Sequence, residues 1–229
     1  MLRTLSIAKP EQADSPAQLA VLIRDHLLAL PVKGGERIFE AQMARDLDVG
    51  RPLLREACRI LEEEGLLTYV QNRGYALRVL TARDVSQLIE FRMILEEAAF
   101  VSAALSDDRV TIVQKLREAF HEIERISGVG DTAQQISADL AFHRVVVAAA
   151  DNPWLLQSFD RMGTVLRYAI RLMGRPLRNF KIDVSSHRAL VTCLAEGDPE
   201  RMRAEMRSHI NLFVPDLVER LEEDSTRKP

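Results

Sequence analysis

Hydrophobic positions recur at helical spacing along nearly the whole chain, and at strand spacing in one place only. Leu19, Leu22, Ile23, His26, Leu27 and Leu30 fall three and four residues apart, which predicts an amphipathic helix over 17–30. Pro31 stops it, and Gly34-Gly35 gives a turn. A short helix is expected over 39–46, broken near Asp48-Val49-Gly50. The next starts at Arg51-Pro52, where proline suits a first turn, and presents Leu54, Ala57, Cys58 and Leu61 on one face up to Glu64, before Gly65. Leu66–Val70 and Tyr75–Val79 then read as two strands around the tight loop Gln71-Asn72-Arg73-Gly74. Three helices and a hairpin in this order predict a winged helix-turn-helix.

Everything after residue 80 reads as helix. Thr81, with Asp84 three residues on, can cap a helix reaching about Leu105. Further helices are expected over 107–126, 131–150, 152–173, 180–195 and from Pro199 to about Glu223; Asn152-Pro153 is a strong start signal. The predicted fold is mainly α: an N-terminal winged helix-turn-helix over 16–80, then an all-α antiparallel six-helix bundle over 81–225. Residues 1–15 are expected to form a disordered tail, and the polar end from Glu222 to fray.

Composition adds limits rather than direction. Hydrophobic residues make up 47% and charged residues 28% of the 229, the balance of a soluble globular protein. No apolar run approaches the length of a membrane span, and Met1 to Asp14 lacks the apolar core of a signal peptide. A cytoplasmic protein with no membrane partner is therefore expected. Cys58 and Cys193, with no metal-ligand spacing between them, read as buried free thiols.

A net charge of −3 argues against a general polyanion binder, and between Lys33 and Arg78 eight basic residues meet eight acidic ones. Any DNA binding must rest on how the charge is arranged. Arg51, Arg55 and Arg59 fall at i, i+4 and i+8 on one helical face, either a solvated stripe or a set for phosphates and guanine edges in a major groove. Asn72 and Arg73, beside Gly74, could reach the neighbouring minor groove or backbone.

Residues 34–74 resemble the GntR family of bacterial transcription factors. The match rests on Gly35-Glu-Arg-Ile38, Glu40, Met43-Ala44, Leu47, Arg51-Pro-Leu-Leu-Arg55-Glu-Ala57, Leu61-Glu-x-x-Gly65-Leu66 and Gly74. The resemblance implies DNA contact by Arg45, Arg51, Arg55 and the wing tip around Gly74. One departure stands out: the family usually has serine where this chain has Gly50. Glycine still caps a helix at a cost of only a few tenths of a kcal/mol, but a hydroxyl that could touch phosphate is gone.

Of five histidines, His26 and His121 read most simply as structural or surface residues. Asp139 and His143 lie one turn apart, and His187 and His209 sit beside apolar stripes on two later helices, so all four are expected to point into the bundle. A carboxylate with three imidazoles suits a divalent metal, and core histidines with hydrogen-bond partners would have the same spacing. Asp139-Leu-Ala-Phe-His143, Asn152, His187, Gly197-Asp, Ala204 and His209, with Glu90-Phe-Arg92 and Leu95-Glu96, resemble the FCD ligand domain of the FadR-type GntR subfamily. The bundle length is closer to its shorter, VanR-type branch. This resemblance implies that Asp139, His143, His187 and His209 hold zinc, nickel or a similar ion.

The expectation that follows is a homodimeric transcriptional regulator, most simply a repressor, that holds double-stranded operator DNA until a small carboxylate metabolite binds. The acid would meet the metal at one end and arginine at the other, with Arg92 foremost and then Arg167 and Arg171, which read equally well as surface salt-bridge residues. Alternatives are a metal that is itself the signal or purely structural, and a metal-dependent enzyme; against the last, no further Glu or His offers itself as a general base near the ligands.

Overall fold

A computed structural model describes residues 13–29, 33–172 and 182–226. The chain divides into two compact units, one made of residues up to 80 together with 168–174, the other of 81–167 and the remainder.

In the first unit, α1 (Pro16–Ala29), α2 (Glu40–Asp46) and α3 (Arg51–Glu63) precede an antiparallel pair, β1 (Leu67–Val70) and β2 (Gly74–Leu77). Leu19, Ile23 and Leu27 of α1 close over Leu54, Ala57, Cys58 and Leu61 of α3, all essentially inaccessible. Pro52 sits in the first turn of α3, and Gly65 adopts the left-handed φ of +84° just beyond its end. The strands pair Leu67 with Leu77 and Val70 with Gly74, a residue short of expectation at the start and shifted at the second strand. Beyond the last paired residues, the Arg78 amide still donates to the Leu66 carbonyl (2.9 Å). A third edge was not read from the sequence: Arg37 bridges to Ala76, while Gly35 and Ile38 donate to the Leu77 and Tyr75 carbonyls (both 2.8 Å). The run from Gly35 to Ile38, with Glu36 also accepting from Leu77, is too short and too polar to give an alternating strand signal.

The second unit holds six helices among the described residues: α4 (Ala82–Ala104), α5 (Arg109–Ile126), α6 (Thr132–Ala149), α7 (Pro153–Leu172, to residue 167), α8 (Val184–Glu196) and α9 (Pro199–Thr226). Their starts follow from side-chain caps. Thr81 and Asp84 form a reciprocal box, as do Asp131 and Gln134. Asn152 accepts from the Trp154 and Leu155 amides, and Asp183 from those of Ser185 and Ser186. Phe100, Phe142, Leu116, Ile123, Val146, Leu190, Leu194 and Met206 form the core. At Gly163 of α7 the Leu140 methyls of α6 come so close that an added Cβ would lie 3.4 Å from one of them.

Two expectations are corrected here. α5 starts at Arg109 rather than 107, since Asp107 and Asp108 form a turn. α9 stays helical to Thr226, past Glu222 where fraying was expected, because nothing in Glu-Glu-Asp-Ser breaks a helix. Residues 1–12 of the expected tail, Pro31, the 174–176 helix stop and the expected helix start at Phe180 lie outside the described residues. No helix among the described residues is long and apolar enough to cross a membrane.

Candidate metal centre and nucleic-acid face

Three imidazoles of the second unit, His143, His187 and His209, each turn Nδ1 toward a neighbouring side chain or carbonyl. On His187 this atom is 2.7 Å from the Asp183 carbonyl oxygen, which can only accept, so Nδ1 carries the hydrogen. On His209 it lies 3.0 Å from Ser186 Oγ, whose own proton goes to the Asp183 carbonyl. On His143 it lies 2.6 Å from Glu96 Oε2, close but off the line of a well-directed hydrogen bond. With Nδ1 of His187 and His209 hydrogen-bonded and that of His143 facing the Glu96 carboxylate, the three Nε2 atoms turn inward, where Asp139 Oδ1 joins them. His143 and His209 Nε2 stand 3.1 Å apart, and His187 Nε2 is 3.1 Å from the Asp139 oxygen.

These four atoms lie within 4.8 Å of one another, and the three imidazoles are buried. All four are acceptors when the rings are neutral. Acceptors in contact need a shared proton or a cation between them, and three imidazoles with a carboxylate are ligands for zinc, nickel and their neighbours. Opposed ligands of such an ion stand about 4 Å apart, so the residues fit a divalent metal.

A second layer holds the first, and of it the sequence reading gives a site role only to Arg92, as an arginine for the acid rather than as a support. Arg92 of α4 is 3% exposed; its Nε donates to Glu96 Oε1 (2.6 Å) and its Nη2 to Asp139 Oδ2 (2.9 Å). Burial alone would raise the Glu96 carboxyl, but Arg92 and His143 beside it hold it below the usual range. Asp139 is likewise pushed up by burial and brought well below its ordinary value by Arg92, then by the His187 contact. Burial, then His143 and His187, depresses His209 well below the usual imidazole value, which keeps its lone pair available. The i, i+4 spacing of Arg92 and Glu96 could have signalled the pair; the Ser186 and Asp183 contacts depend on helix packing and have no local signature. Glu96, named above only for the family resemblance, is a carboxylate near the ligands, but it lies behind His143, bound to Arg92 rather than facing the four inward atoms.

Arg92 thus belongs to the cluster, with two donors on carboxylates. Arg167 is half-buried on α7, and the side chain of Arg171 lies outside the described residues, as does that of Phe213 in the stripe beside His209. His121 is exposed beside Glu124.

In the first unit, Arg45, Arg51, Arg55 and Arg59 are all exposed, as are Asn72 and Arg73 at the hairpin tip. Arg45 bonds to Gln42 (2.6 Å), Arg55 to Glu40 (2.8 Å), and Arg59 to both Glu56 and Glu63. Asn72 and Gly74 take positive φ, +61° and +77°, which sharpens the tip. Arg37, unremarked in the sequence, donates to the Arg73 carbonyl at 2.6 Å and so braces that tip. Gly50 caps α3 with extended backbone and no side-chain bond.

Residues 17–77 match the model of bacterial regulatory proteins of the gntR family, and residues 87–212 that of the FCD domain. A transcriptional regulator of the HTH type from Bacillus subtilis is 28% identical, over 83% of this chain and 85% of that protein. A probable D-xylose utilization operon transcriptional repressor of Paenarthrobacter nicotinovorans is 27% identical, over 86% and 88%. The crystal structure of a GntR regulator from Rhodococcus sp. RHA1 superposes with a TM-score of 0.74 at 22% identity, covering 89% of this chain and 97% of that one, a likeness of fold.

Proposed function

Because this chain belongs to the GntR family of bacterial regulatory proteins and carries their FCD domain, a DNA-binding transcriptional regulator and not an enzyme, we propose that a divalent metal at Asp139, His143, His187 and His209 makes it responsive to a small organic acid. The observation that carries this reading is the cage of four inward acceptors, each oriented from behind. A bound ion would supply an electrophilic point for a carboxylate. Arg92 acts through Asp139, fixing which oxygen of that carboxylate faces the cluster. Arg167, half-buried on α7, is our choice for the acid's other end, and Arg171 rests on the sequence alone.

The first unit reads DNA with Arg45, Arg51 and Arg55 on the helix-turn-helix and with Asn72, Arg73 and Gly74 at the wing. Arg59, clamped by two glutamates of its own helix, adds to phosphate attraction only if those pairs open. Two copies would read the halves of a near-palindromic site. The name of the Paenarthrobacter relative supports repression and a metabolite-linked signal.

The test uses a duplex that the full-length protein selects from a library with a randomised centre. Protein stripped with a chelator, then reloaded with zinc or nickel, is titrated with that duplex before and after adding a panel of hydroxy and sugar acids. In the metal-loaded protein one acid should weaken binding about 5- to 150-fold, a coupling of about 1–3 kcal/mol, and should do nothing to the stripped protein. An acid effect that ignores the metal, or a metal that switches binding alone, would overturn the acid-sensing role.

A further inference from the structure

The three arginines along α3 are held in three different ways. Arg51 has no acidic partner among the described residues. Arg59 has Nε and Nη1 engaged by Glu56 and Glu63. Arg55, two-thirds exposed, is held by its Nε alone, at 2.8 Å from Glu40 Oε2.

Glu40 opens α2, and its side chain is only 19% exposed. It also lies against the wing: a Cβ added at Gly74 would stand 3.1 Å from its Oε1. One carboxylate therefore touches α3 on one side and the wing on the other.

Arginine distinguishes guanine by presenting two N–H groups side by side to O6 and N7. Its guanidinium has such an edge at Nη1/Nη2, and fixing Nε fixes the plane of that edge. An unheld arginine must lose its rotamer freedom on binding; one already held at Nε has less to lose.

We propose that Glu40 is a positioning residue for base readout, holding Arg55 by its Nε so that the Nη1/Nη2 edge faces a guanine in the major groove. This rests on the assignment of α3 as the reading helix. The sign of the effect separates positioning from plain electrostatics. A carboxylate near the phosphate backbone repels it, so if charge were its whole role, removing Glu40 would strengthen binding to every sequence alike. If Glu40 positions Arg55, its removal lowers the preference for the selected sequence.

The experiment compares full-length wild type with Glu40→Ala, Glu40→Leu, Arg55→Ala and the Glu40→Ala/Arg55→Ala double variant. Each is titrated with the duplex that wild type selects from a randomised library and with its scrambled counterpart, over a range of salt. Glu40→Ala should lower the ratio of the two affinities by at least about fivefold, the low end for one bidentate contact, with scrambled-duplex affinity equal or higher. It should change nothing further once Arg55 is alanine. An undiminished ratio in both Glu40 variants, with Arg55→Ala lowering it, overturns the inference. If Arg55→Ala itself leaves the ratio unchanged, the reading-helix assignment fails and the inference with it. Should Glu40→Ala lose its cooperative melting, Glu40→Leu, which keeps the volume but offers no acceptor to Arg55 Nε, decides by the same ratio.

Discussion

A full-length His143→Ala protein should bind zinc or nickel at least about 100-fold more weakly than wild type and leave purification nearly free of metal. Removing only a residue that orients a ligand typically costs 10- to 100-fold, and here an inward-facing nitrogen is lost outright. The imidazole is fully buried, and its Nε2 sits 3.1 Å from that of His209 and 3.8 Å from Asp139. Its loss leaves three donors and also strips Glu96 of a neighbour. Competition against a chromophoric chelator measures the affinity, and elemental analysis the stoichiometry. Metal content equal to wild type would refute the ligand set, whereas a melt of the second unit matching that of chelator-stripped wild type would show that the variant is otherwise intact.

Replacing Arg92 by alanine should destabilise the second unit by about 3–5 kcal/mol, the cost of breaking a buried pair and leaving charge uncompensated. Glu96 is fully buried and Asp139 nearly so, and Arg92 is bonded to both. Thermal melts in the presence of chelator measure it; for a chain of this size each kcal/mol corresponds to about 2–4 °C. A variant that melted as wild type but no longer answered any acid would move Arg92 from holding Asp139 to meeting the effector directly. That is the role expected from sequence, and its two carboxylate bonds argue against it.

The order of elements was legible because each helix here has a chemical start or stop. Thr81, Asp131 and Asn152-Pro153 are side-chain signals that act within three residues, so the chain announces them locally. The inward direction of His143, His187 and His209 was legible for a similar reason, since apolar neighbours on one face fix which way a helix turns. What could not be read is the partner of each Nδ1. The Glu96–His143 and Ser186–His209 contacts join α4 to α6 and α8 to α9, and such pairings depend on the crossing of helices. The contacts of Glu40 were illegible for the same reason: it lies fifteen residues from Arg55 and thirty-four from Gly74. The charge tally of zero around the first unit was correct as a sum yet hid that the arginines differ, one open, one buttressed and one clamped.

Each unit contains one cysteine, Cys58 beneath α3 in the first and Cys193 on α8 in the second. Burial, with Glu40 nearby, pushes the Cys58 thiol up to about 12, and burial raises Cys193 as well. Thiolate is the form that alkylating agents and peroxide attack, so in the closed protein both sulfurs are chemically silent at neutral pH. The protein therefore yields only slowly to oxidants at the sulfur beneath α3. It also contains two clocks: the rate at which each sulfur yields to a reagent records how often that unit opens, one for the part that grips DNA and one for the part that holds the metal cage.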